Sequence, residues 1–226
     1  MNYFSKFGKT KAAKIATVIF LLFILFGLLY GFSLLRKTVL HKPHHLLISR
    51  SSLLVSIPFS QAVYDNKRQL LRLTLSRDDK YRLYTPLDQI APQVIAATLL
   101  QEDQYFYWHF GVNPIALTKA FWKTYVLRSR RIGASTITMQ TARLFYHINT
   151  KTWSGKLWQI ARAMQLEFLY SKHDILEAYL NLAPYGSNIE GIGAASLVYF
   201  SKSASELNLM EGLTLVVMPQ HPARHV

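Results

Sequence analysis

The feature that most constrains this chain is IATVIFLLFILFGLLYGFSLL, the 21 residues from Ile15 to Leu35, which carry no charge. A helix over this run would reach about 30 Å, the thickness of a bilayer's hydrocarbon core. A secretory signal peptide has a shorter apolar stretch and a small-residue cleavage site, and no convincing site precedes Arg36. The expectation is therefore one N-terminal transmembrane helix over 15–35, an uncleaved signal anchor. Charge alone barely orients it, because Lys6, Lys9, Lys11 and Lys14 precede the run while Arg36, Lys37, Lys42 and Arg50 come after it. Residues 1–14 are placed in the cytoplasm because the function implied by the motifs of the remaining chain needs that part outside.

The chain beyond the anchor is long enough for one main domain. Residues 36–60 read as a basic juxtamembrane linker, and 61–226 as the folded domain. The 226-residue chain has 26 Lys and Arg against 12 Asp and Glu, a net charge of +14, which calls for an anionic partner. No acid occurs before Asp65, and none between Asp103 and Glu167. The second gap holds Lys119, Lys123, Arg128, Arg130, Arg131, Arg143, Lys151, Lys156 and Arg162. In a compact domain part of that charge converges on one surface. With no cysteine in the chain, thiol catalysis, disulfides and Cys-based zinc sites are excluded.

Short runs with strand character, 62–64, 70–75 and 81–84, are separated by turn-like Asp65-Asn66-Lys67 and Arg77-Asp78-Asp79, which predicts a small β-meander. From Pro86 the hydrophobic period becomes helical. Pro92 suits a first helical turn, and Asn113-Pro114 an N-cap ahead of IALTKAFWKTYVL. Ser135 is a candidate cap for TITMQTARLF, and Ser171 with Asp174 and Asn208 with Glu211 are candidate capping boxes. The predicted fold is mainly α with a small β element. Phe121, Trp122, Tyr125 and Leu127, interleaved with Lys119, Lys123 and Arg128, suit either a membrane-dipping surface or a core stripe with solvated bases opposite.

Five strings carry the chemistry. QEDQYFYWHFG (101–111) resembles the E-D-x-x-F-x-x-H-x-G signature of glycosyltransferase family 51, the peptidoglycan polymerases. GASTITMQ (133–140) resembles that family's G-G-S-T-I-T-Q-Q, and GKLWQ (155–159) stands where it has R-K-x-x-E. ILEAYLN (175–181) and GIGAASLVYFSKS (191–203) are similar to its last two motifs. The resemblance implies a lysozyme-like helical glycosyltransferase domain that polymerises lipid II with inversion and releases polyprenyl diphosphate. It also implies a periplasmic setting on the bacterial inner membrane, and possible contact with other cell-wall synthesis proteins. GKLWQ, Met139 and NLAPYG mark one subgroup within the family. The Ser-x-x-Lys of a transpeptidase occurs nowhere in the chain.

Glu102 ends an apolar run directly before Tyr105, Phe106, Tyr107 and Trp108, a setting that would partly desolvate its carboxylate and suit it to proton transfer. The resemblance implies that Glu102 is the general base on the acceptor's 4-hydroxyl. Asp103 reads as a residue that orients its surroundings, His109 as a structural histidine, Phe106 as packing, and Gly111 as a turn; Gly133 supports its motif. Ser135, Thr136, Thr138 and Gln140 offer donors at a helix start, where an anion is favoured. Arg143, Lys151 and Lys156 fall where relatives carry bases for the lipid diphosphate, and such a leaving group needs positive charge as it departs.

Two departures bear on activity. Gln159 replaces the motif's glutamate; it can donate to phosphate but cannot serve as an anionic ligand, so a divalent cation (Mg or Mn) is in doubt. Gly155 replaces an arginine. Alternatives to the polymerase are a lysozyme-like glycan hydrolase, which has no need of cations around a diphosphate, and a non-catalytic lipid II or glycan-binding membrane protein. Nucleic acid is not expected as a partner, because no recognition motif appears.

Overall fold

The computed structural model describes residues 53–67, 70–114 and 135–220. The anchor run, the helix expected over 115–127 and Gly133 lie outside the described residues. So do Lys119, Phe121, Trp122, Lys123, Tyr125, Leu127 and Arg128. Among the described residues no helix is long and apolar enough to cross a membrane. The architecture is mainly helical, with six α-helices described. These are α1 (Pro92–Glu102), α2 (Ile137–Phe145), α3 (Trp153–Leu169), α4 (Lys172–Leu182), α5 (Ile192–Phe200) and α6 (Leu209–Val217).

The ends of these helices obey local chemistry. Pro92 occupies the first turn of α1, where its missing N–H costs nothing. Ser171 with Asp174 and Asn208 with Glu211 form the expected capping boxes of α4 and α6. The cap of α2 is shifted by one residue from the expectation: Thr136, not Ser135, accepts the Met139 N–H. Ser135 instead accepts a hydrogen bond from Lys156.

The centre of the body is α4, whose residues Ile175 to Leu182 are all buried. Helix α2 packs on both α3 and α4, and α1 packs on α6. A helix surrounded on this scale is apolar on most sides, and its polar residues need internal partners. Asn181 is fully buried. Its amide donates to the carbonyls of Thr85 and Glu177, and its oxygen accepts the Thr85 N–H. Glu177 accepts from the Tyr84 hydroxyl and the Leu87 N–H, and burial together with this carboxylate raises the Tyr84 hydroxyl to about 12. The motif ILEAYLN thus locks the 84–87 segment onto the central helix.

The β element is smaller than a meander. β1 (Ala62–Tyr64) and β2 (Leu70–Leu73) pair antiparallel, with an irregularity between Val63 and Tyr64. The third run does not join them: Tyr81 makes an isolated parallel bridge to Ile189. The reason is Arg82, 3% exposed, whose guanidinium binds Asp78, Glu190 and the Pro58 carbonyl and draws the run into the helical body. Leu53 and Leu54, inside the segment read as a linker, are buried in the core, and Ile57 and Phe59 pack against it. The packed body therefore begins before residue 61.

Asn181→Ala leaves the Thr85 N–H and two carbonyls without their partner inside the core. It is expected to lower stability by about 2–4 kcal/mol, measured by chemical unfolding of the detergent-solubilised chain.

Candidate active site

Glu102 is the last residue of α1, and the next residue fixes its surroundings. Asp103, 7% exposed, accepts the Ile137 N–H at 3.1 Å, at the first residue of α2, and binds His109 Nε2 at 2.9 and 3.0 Å. One carboxylate therefore joins the end of α1, the Phe106–Trp108 turn and the start of α2. His109 Nδ1 is buried and has no hydrogen-bond partner among the described residues. Phe106 is fully buried, edge-on to Tyr107 and His109. Gly111 turns the chain at φ +75°, and a Cβ there would meet Glu167 Cγ at 3.0 Å and the Ala163 backbone at 3.1 Å.

The aromatic residues expected to desolvate Glu102 do not bury together. Tyr105, Tyr107 and Trp108 are exposed. Two residues that sequence reasoning missed, Tyr179 and Tyr185, are buried near the carboxylate instead. Burial first, and the charge of Glu102 second, hold both hydroxyls well above the ordinary tyrosine range. They come from α4 and the loop after it, far from Glu102 in sequence, and no local pattern marks them.

Helix α2 is the wall shared by the carboxylate and the cations. Gln140 donates from Nε2 to Glu102 Oε2 at 2.7 Å. Arg143 lies three residues beyond Gln140, and among the described residues its guanidinium has no hydrogen-bond or ion-pair partner. It borders a cavity of about 600 Å³ whose other walls include Pro58, Arg82, His147 and Glu190. Ser135, just before the helix, accepts Lys156 Nζ at 2.7 Å. Lys156 also donates to Gln159 Oε1 at 2.9 Å, and Gln159, 1% exposed, donates from Nε2 to the Met139 carbonyl at 2.7 Å. Burial, then repulsion from Arg143, lowers the Lys156 ammonium below the usual lysine value.

The structure thus brings Glu102, Gln140, Arg143, Ser135, Lys156 and Gln159 around α2, and sets other candidates apart. Thr136 is buried: its hydroxyl caps α2 and donates to the Gly111 carbonyl at 2.6 Å. Thr138, fully buried, donates to Glu167 Oε1, which Lys172 also binds at 2.7 Å. Both hydroxyls hold helices together, because the start of α2 is covered by α3 and the Gly111 turn. Lys151 is exposed in the turn before α3, and no side-chain contact links it to Glu102 among the described residues.

A divalent cation does not fit at position 159. The one oxygen there is uncharged and already faces an ammonium at 2.9 Å. Gly155 has a steric reason: a Cβ would lie 1.8 Å from the Asn149 carbonyl oxygen, so the loop closing onto the start of α3 excludes any side chain. The arginine of the related motif has no room on this backbone.

Helical architecture, carboxylate and cations together match one class of protein. The chain belongs to the transglycosylase family, whose profile matches residues 66–226. Penicillin-binding protein 1C of Escherichia coli (strain K12) is 42% identical over 149 residues, covering 65% of this chain and 19% of that protein. The biosynthetic peptidoglycan transglycosylase of Pasteurella multocida (strain Pm70) is 36% identical over 170 residues, 74% of this chain and 68% of that protein. Penicillin-binding protein 1A of Aquifex aeolicus (strain VF5) is also 36% identical over 170 residues, 74% of this chain and 23% of that protein. The chain spans about a fifth of the length of these penicillin-binding proteins. The subgroup suggested by GKLWQ, Met139 and NLAPYG is that of protein 1C.

Gly155→Ala forces the Asn149 loop away from α3. It is expected to cost about 1–3 kcal/mol and to lower the thermal unfolding midpoint without adding or removing charge.

Proposed function

We propose that this chain is a peptidoglycan glycosyltransferase that polymerises lipid II at the outer face of a bacterial cytoplasmic membrane, anchored by the apolar run 15–35. The observation that carries the reading is the 2.7 Å hydrogen bond from Gln140 to Glu102. It seats a carboxylate against the same short helix that bears Arg143 and borders Lys156.

In this reading the acceptor lipid II offers its sugar 4-hydroxyl to the Glu102 carboxylate. Glu102 takes the proton as the hydroxyl oxygen attacks the anomeric carbon of the lipid-linked glycan chain. The new glycosidic bond forms on the face opposite the departing polyprenyl diphosphate, so the configuration inverts. Negative charge gathers on the diphosphate as its bond to carbon breaks. Lys156, held in place by its hydrogen bonds, and Arg143, both without acidic partners among the described residues, stabilise that charge more in the transition state than in the ground state. Tyr179 and Tyr185 line the buried side of Glu102 and limit water there, while Gln140 holds its Oε2 oxygen against α2. Ser135 and Gln159 hold Lys156. Lys151, exposed in the turn, would contribute to long-range attraction of the anionic substrate.

The membrane setting is supported by a second feature. Trp153, Leu157, Met164 and Phe168 are exposed on α3 at spacings of four, seven and four residues, which places them on one helix face. An apolar stripe beside a cationic site suits an enzyme that draws a polyprenyl-linked substrate from a bilayer. A glycan hydrolase would not require two cations without acidic partners among the described residues around the helix that holds its carboxylate. Contact with other cell-wall synthesis proteins belongs to the same proposal.

The test is polymerisation of lipid II by the detergent-solubilised chain. Glu102→Gln is expected to reduce the rate by about 10²–10⁴-fold while leaving the unfolding midpoint near that of the wild type. Wild-type protein that binds lipid II but forms no glycan strands would favour the non-catalytic binder, and cleavage of finished strands would favour the hydrolase.

A further inference from the structure

Resting on the polymerase reading, the surroundings of Lys156 carry a second conclusion. Among the described residues its ammonium makes two hydrogen bonds, to Ser135 Oγ at 2.7 Å and to Gln159 Oε1 at 2.9 Å, and both acceptors are neutral. An ammonium has three N–H donors, so one remains. The acids that could have neutralised it are turned elsewhere: Glu102 meets Gln140, Glu167 holds Thr138 and Lys172, and Glu177 holds Tyr84 and Leu87.

Position 159 is specified by both of its contacts. Nε2 donates to the Met139 carbonyl at 2.7 Å, and Oε1 accepts from Lys156. A glutamate, nearly identical in shape, would set an oxygen against the Met139 carbonyl and a negative charge beside the ammonium. The carboxamide is the side chain of that length that meets both neighbours and leaves the lysine's charge uncancelled. Holding an ammonium half-buried without a counter-ion is costly. An arrangement of this kind becomes favourable once an anion arrives, and Arg143, the charged group acting on Lys156 from α2, is itself unpaired among the described residues.

We propose that Gln159 is a positioning residue that keeps Lys156 un-neutralised and aimed at a diphosphate, so that the site grips this group with its own two cations and needs no divalent ion. The specific consequence is that a metal is replaced by an ammonium held in place by a buried amide. Because burial and Arg143 lower the Lys156 titration, the cation is lost as pH rises through that lowered value. The affinity for a diphosphate then falls at a lower pH than an ordinary lysine would allow. A carboxylate at 159 would raise the lysine's titration and shift that fall to higher pH, while weakening binding at neutral pH.

The experiment titrates inorganic pyrophosphate into the 226-residue chain in detergent micelles with chelator present, across neutral to alkaline pH. Wild type is expected to bind in chelator. Gln159→Glu and Lys156→Met are each expected to weaken binding by roughly tenfold or more at neutral pH. In Gln159→Glu the alkaline fall should move upward, which a purely structural glutamine would not produce. Lys156→Met removes the charge without altering residue 159, and it carries the test if the buried carboxylate prevents folding. Wild-type binding that is abolished by chelator, affinity unchanged in either variant, or an alkaline fall that stays in place overturns the proposal. Pyrophosphate binding with no polymerisation of lipid II would sink the polymerase reading and leave this one standing; polymerisation with no pyrophosphate binding in chelator would do the reverse.

Discussion

The carboxylate of Asp103 is the joint on which the site depends. It accepts the Ile137 N–H at the first turn of α2 and binds His109, so the end of α1, the aromatic turn and the start of α2 cannot move independently. A carboxylate at a helix N-terminus is favoured by the helix dipole as well as by its hydrogen bonds. Here that favourable interaction has a geometric consequence: Glu102, one residue earlier, is delivered to Gln140 on the same helix. Without the joint, the direct links left between the two motifs among the described residues would be the Thr136 bond to the Gly111 carbonyl and the Gln140 bond to Glu102.

Around this joint the charges are distributed unevenly. Asp78 and Glu190 bind Arg82, Glu167 binds Lys172, and Glu211 binds Lys202. Arg143 and Lys156 have no such partner among the described residues. Structural ion pairs therefore occupy the loops and helix junctions, while one of these two uncompensated cations stands on α2 and the other bonds Ser135 beside it. Partial burial makes the Lys156 charge more effective toward an anion than it would be in water. The same burial lowers the Lys156 titration, so in the proposed diphosphate site strength of binding and sensitivity to alkali would come from one cause.

The helix ends were legible because they obey short-range rules. Pro92, the Ser171 and Asn208 boxes and the Gly111 turn each stem from a residue's own backbone preference or a reach of three positions. Motif spacing also singled out Glu102, Gln140, Arg143 and Lys156, which the fold gathers around α2. The parts that escaped depend on distant partners. Ser135 looked like a cap, but a lysine 21 positions away took its hydroxyl, and the cap passed to Thr136. Thr136 and Thr138 looked like anion contacts until the Gly111 turn and Glu167 were packed over them. The run at Tyr81 had strand character, yet the buried pairing of Arg82 with Asp78 and Glu190 outweighed a third ladder.

By itself the sequence determined the kind of chemistry: a carboxylate, a supply of bases and no thiol, on a mainly helical chain with an apolar run of membrane length. These come from composition and local order, which any fold of the chain must respect. Only the tertiary structure decided which base stands uncompensated and which hydroxyl is consumed. It also decided that Gln159 turns its amide to Met139 and its oxygen to Lys156. Such choices depend on side chains from different helices meeting at hydrogen-bond distance, and a few ångströms of packing settle whether a lysine is paired, buried or available to hold a substrate.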